Sequence, residues 1–87
     1  EWQMVGSVLS ADPGSGLILE VRNAFNQGEE LEILPFRGEA IRITADEIMD
    51  LALRPVKRTK PSTLVRLPFV PGVQSLNLVR QRTGKKG

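Results

Sequence analysis

Gln3-Met4-Val5-Gly6-Ser7-Val8-Leu9-Ser10-Ala11-Asp12-Pro13-Gly14-Ser15-Gly16-Leu17-Ile18-Leu19-Glu20-Val21 reads as two strands and the turn between them. Pro13 presets a turn and the glycines supply positive φ. Leu17, Leu19 and Val21 then alternate with outward Glu20 and Arg22, Ile18 being the exception, which is the period of a half-buried strand. Working outward, Leu31 and Ile33 alternate with Glu30 and Glu32, and Pro35-Phe36-Arg37-Gly38 turns the chain into Ala40 to Ile43. Ser62 to Leu67 forms a further strand. A last one sets Leu76, Leu78 and Arg80 on one face against Asn77 and Val79. The predicted fold is all-β, a small antiparallel β-barrel of about six short strands over residues 1–82, with 83–87 as a flexible basic tail.

Thr44-Ala45-Asp46-Glu47 fits a capping box ahead of Ile48 to Leu53, so a short helical turn or a strand is expected between Thr44 and Leu53. Proline at 55 and 61 bounds a basic connector, because proline removes a ladder donor and biases the residue before it away from helix.

Composition excludes much chemistry. With 87 residues the chain is one small domain, and with no Cys and no His it has no thiolate nucleophile, no imidazole base and no thiolate or imidazole metal ligand. No catalytic, cofactor-binding or metal-ligating residue is assigned. Asp46, Glu47 and Asp50 are the densest carboxylates, and capping explains Asp46 and Glu47 better than a cation site does. The lack of cysteine suits a reducing cytoplasm, and no apolar run is long enough to span a membrane. The chain starts at Glu1, not Met, and is expected to be cut from something longer.

Charge is divided along the chain. Residues 1–50 hold ten acids against three arginines, and the remainder holds nine cations and no acid, within a net charge of +2. A clustered basic half is the footprint of a polyanion partner. The candidate nucleic-acid contacts are Arg54, Lys57, Arg58 and Lys60, with Arg66, Arg80 and Arg82. The competing reading is that acidic and basic strands pair across the sheet. Trp2, Phe25, Phe36 and Phe69 are read as core or rim packing in preference to base stacking.

Val21-Arg22-Asn23-Ala24-Phe25-Asn26-Gln27-Gly28-Glu29-Glu30-Leu31-Glu32-Ile33-Leu34 resembles the signature of the C-terminal domain of peptidase family U32, the collagenase-like peptidases. Val5-Gly6 with the 12–16 turn, Thr44 to Asp50, and Val65-Arg66-Leu67-Pro68 with Pro71-Gly72 follow in the family's order. Leu51 to Arg54 replaces its usual Asp-Gly turn, Lys60-Pro61 a His-Pro, and Val73 an acid. The resemblance implies an accessory barrel beside a larger N-terminal catalytic domain, absent here, which would hold the chemistry. Several bacterial relatives are implicated in hydroxylation of ribosomal or transfer RNA. The leading expectation is therefore a non-catalytic domain that docks on that catalytic domain and positions a macromolecular substrate, RNA or protein. The alternative is a purely structural docking or homodimerisation domain; a self-contained peptidase ranks last.

Overall fold

A computed structural model describes residues 1–83. Six antiparallel strands, β1 (Trp2–Asp12), β2 (Gly16–Val21), β3 (Glu30–Leu34), β4 (Ile41–Thr44), β5 (Leu64–Leu67) and β6 (Leu78–Arg82), form one sheet in the order β4-β3-β6-β1-β2-β5. The sheet curls into a half-barrel. Leu17, Leu19, Val21, Leu31, Ile33, Val65, Leu67 and Val79 line its inner face, and Phe25, Ala45, Ile48 and Val73 come in from the connections to complete the core.

β1 shows how a strand too long for strict alternation is accommodated. Val5 and Val8 are both fully buried although three residues apart, a spacing that would put them on opposite faces of a regular strand. Two irregularities restore the phase: the register with β6 shifts between Met4 and Gly6, and that with β2 between Val8 and Ser10. Such bulges bend a strand and increase its twist, and one pushes Leu9 outward.

The β1–β2 turn forms as the sequence indicates. Asp12 accepts bonds from the Gly14 and Ser15 N–H groups and from the Ser15 hydroxyl. At Gly16, φ is +97° and a Cβ would collide with the Leu67 carbonyl oxygen, so only glycine fits.

One expectation is corrected. The described residues contain no helix, and the helical turn at Thr44–Leu53 is absent because long-range partners take the backbone groups that a helix would use. Ala45 N–H donates to Glu29 O, Val56 N–H to Ile48 O, and Met49 exchanges both bonds with Arg66 on β5. Thr44 is the last residue of β4 and not a cap. On β6 the buried face is the Asn77/Val79 side, Asn77 and Val79 being 1% and 0% exposed, while Leu76 and Leu78 stand in solvent at 70% and 43%. Asn77 is tolerated there because its Oδ1 accepts the Gln74 N–H at 2.8 Å, bracing the preceding turn.

Of the 83–87 tail, Thr83 N–H donates to Glu1 O, and the rest lies outside the described residues.

Candidate nucleic-acid interface

The basic connector is not a loose loop. Residues 57–59 run antiparallel to 25–27: Gln27 N–H donates to Lys57 O, Asn26 bridges Arg58, and Thr59 N–H donates to Phe25 O. Thr59 is the pin. Its hydroxyl accepts the Phe25 N–H at 2.9 Å and faces Phe25 O at 3.3 Å, at a site 2% exposed.

The seven predicted cations come from three parts of the chain. Arg54, Lys57, Arg58 and Lys60 share the exposed connector, whereas Arg66 lies on β5 and Arg80 and Arg82 on β6. β1 and β2 separate β5 from β6 in the sheet.

Most of these cations are engaged internally. Arg54 pairs with Asp50 (3.1 Å), Arg58 Nη1 donates to Asn26 Oδ1 (2.8 Å) and Arg66 Nη1 to Ser15 O (2.8 Å). Arg80 bonds Glu32 at 2.9 Å across the β3–β6 register, and Arg42 approaches the same carboxylate at 3.8 Å. The Arg80 guanidinium lies 3.8 Å, and that of Arg82 4.9 Å, from the centre of the Trp2 ring. Cross-strand charge pairing therefore accounts for part of the charge division. Among the described residues Lys57 and Lys60 make no ion pair.

The carboxylates are likewise committed. Asp50 accepts from the Ala52 and Arg54 N–H groups and from Arg54 Nε, which holds its carboxyl below the usual range, the Arg54 N–H contributing most. Asp46 and Glu47 are exposed, and the described residues hold no cluster of three acids able to ligate a metal. Glu29, missed in the sequence reading, holds a turn: it accepts the Asn26 N–H (2.8 Å) and the Gln81 amide (2.8 Å). These bonds, the Asn26 one first, together with the Arg58 charge, lower its pKa. The aromatics divide: Phe25 is core and Phe69 packs against it, while Trp2 and Phe36 are 41% and 65% exposed.

The profile of the Peptidase family U32 C-terminal domain matches residues 1–80. The chain belongs to that family. Its fold is that of the C-terminal domain of a Geobacillus thermoleovorans protein assigned to the U32 peptidases. One crystal structure of that domain gives a TM-score of 0.83 at 23% identity, covering 93% of each chain. Its selenomethionine variant gives 0.82 at 23%, covering 91% of this chain and 99% of that one. Among curated proteins there is no match to the chain.

The U32 signature between Asn23 and Glu29 is explained by folding. Asn23 Nδ2 donates to Met4 O, Phe25 fills the core, Gln27 Nε2 donates to Asp46 O, and Asn26 and Glu29 hold each other. Gly28 adopts φ +91° while its N–H reaches Ala45 O. Arg22 alone among the polar side chains from 22 to 29 has no internal partner among the described residues.

Proposed function

We propose that this U32 C-terminal domain is a non-catalytic accessory module that positions a macromolecular substrate, RNA by the chemistry of its contacts, for a catalytic domain outside this chain. The observation carrying this reading is the connector. Lys57 and Lys60 are exposed, lack ion-pair partners among the described residues, and sit on backbone fixed by the Phe25–Thr59 pair. Fixed, unpaired ammonium groups release counterions from a polyanion without first breaking an internal bond.

A titration with bulk small RNA over a salt series tests it. Two phosphate contacts give a slope of log K against log salt near −1.4, from about −0.7 per contact on single strands. Lys57→Glu with Lys60→Glu removes the binding while urea unfolding stays unchanged. Salt-independent binding, or wild-type retention by the double variant, refutes the assignment. A second reading, docking on the catalytic domain or on another copy, has its own support: Leu53 and Leu76 stand 60% and 70% exposed. Under it, deletion from the parent protein lowers stability or dimerisation and leaves substrate affinity alone.

A further inference from the structure

Arg22 sits against the basic connector, although the two lie in different halves of the sequence. It follows directly on β2, whose last residue is bonded to the connector's end: Val21 N–H donates to Thr63 O, and Ser62 N–H to Val21 O, both at 2.8 Å. Lys60 opens the turn that closes at those residues. Pro61 and the left-handed Ser62, at φ 66°, take its two central positions, as in a type II turn, and the Thr63 hydroxyl donates to Lys60 O at 2.6 Å. Arg22 and Ser62 border one concavity of the surface. A single tight turn therefore lies between Arg22 and Lys60.

The Arg22 backbone is fixed without help from its side chain. Its N–H donates to Val5 O at 2.7 Å, and the adjacent Asn23 Nδ2 donates to Met4 O at 2.6 Å. The side chain itself is exposed and makes no hydrogen bond or ion pair among the described residues. Arg37 shares that lack of a partner. It lies, however, in the β3–β4 turn, at the end of that hairpin away from the 26–29 turn to which the connector is bonded. Position distinguishes Arg22: its free charge falls beside Lys60, on backbone that is already ordered. A guanidinium there offers a planar fork to two oxygens of one phosphate, where each lysine offers a point charge. Glu20 borders the same concavity and is the carboxylate that a polyanion meets there.

Resting on the RNA reading above, we infer that Arg22 is a third contact to the phosphodiester backbone, extending the Lys57 and Lys60 surface across the Ser62 turn onto the end of β2.

The test is a titration of the domain with a fluorescent single-stranded oligouridylate over a salt series. Three contacts give a slope of log K against log salt near −2.1, from about −0.7 per contact. Arg22→Gln brings the slope to about −1.4 and weakens binding, Arg22→Lys keeps the wild-type slope at lower affinity, and Arg37→Gln changes neither. Glu20→Gln tightens binding at low salt, and no gain in that variant places the strand elsewhere. All three positions are exposed, so urea midpoints stay at the wild-type value. A wild-type slope near −1.4 that Arg22→Gln leaves alone, with binding lost in the connector double variant, overturns the inference and keeps the connector reading. Equal losses in Arg22→Gln and Arg37→Gln overturn it too, because net charge then accounts for both. Absence of salt-dependent binding by the wild type defeats the connector reading and this inference with it.

Discussion

Thr59→Val removes one oxygen and keeps the shape of the side chain. In the native fold the Thr59 hydroxyl accepts the Phe25 N–H at 2.9 Å, and both residues are buried, at 2% and 1% exposure. The variant strands that N–H away from water, and an unsatisfied buried donor costs about 1–3 kcal/mol. The added methyl returns at most about 0.8 kcal/mol. The expected net loss is about 1–2 kcal/mol, equivalent to a fall in Tm of roughly 4–16 °C for a domain of this size. Thr59→Ser is the matched control: it keeps the hydroxyl and loses a methyl, so it costs about 1 kcal/mol. Urea unfolding of the three proteins at pH 7 measures both. The 25–27 and 57–59 backbones are held by this pair, so the valine variant also raises amide exchange at Gln27 more than at β1. A valine variant as stable as wild type, or less damaging than serine, would refute the claim that a hydrogen bond and not packing pins the connector.

Three further outcomes are expected. Gly16→Ala combines a left-handed φ of +97° with a backbone collision, whereas Gly28→Ala, at φ +91° with nothing within 4 Å, bears only the conformational cost of about 1–2 kcal/mol; denaturant midpoints that rank them equally rule out the collision. Leu53 holds φ 66° while 60% exposed, so Leu53→Gly raises the unfolding free energy by up to about 1 kcal/mol, and a loss contradicts the strain. The pKa values of Asp12, Glu29 and Asp50 are all lowered on folding, Asp12 chiefly by the Ser15 hydroxyl, Glu29 by the Asn26 N–H and Asp50 by the Arg54 N–H. A depressed carboxyl stabilises the fold above its unfolded pKa and loses that contribution as pH falls through the folded value. Unfolding midpoints should therefore fall between about pH 5 and pH 2, and Glu29→Gln should shrink the drop; an unchanged slope in that variant excludes Glu29 as a contributor.

The seven predicted cations illustrate how far a candidate site can be read from a chain. Their types and their clustering after Arg54 were visible in the sequence, and so was the alternative of cross-strand pairing. Their fates were not, because Arg80 meets Glu32 only through the β3–β6 register, which joins residues 48 positions apart. Arg22 escaped notice for the same reason. It belongs to the acidic half of the chain, and its lack of a partner is a property of the folded surface.

Local chemistry by itself determined the all-β class, the Asp12–Gly16 turn, and the inward Leu17, Leu19, Val21, Leu31 and Ile33. Each depends on neighbours within a few residues: a turn geometry that glycine permits, or a two-residue period that one buried face requires. Tertiary structure decided the rest. A capping box at Thr44 lost to β-type bonds from Glu29, Val56 and Arg66, since a single helical turn gains little against long-range pairs that also bury Ala45 and Ile48. The buried side of β6 and the phase of β1 across its two bulges both arise where strands distant in sequence come within hydrogen-bonding reach, and no periodicity in one segment encodes its partner's register.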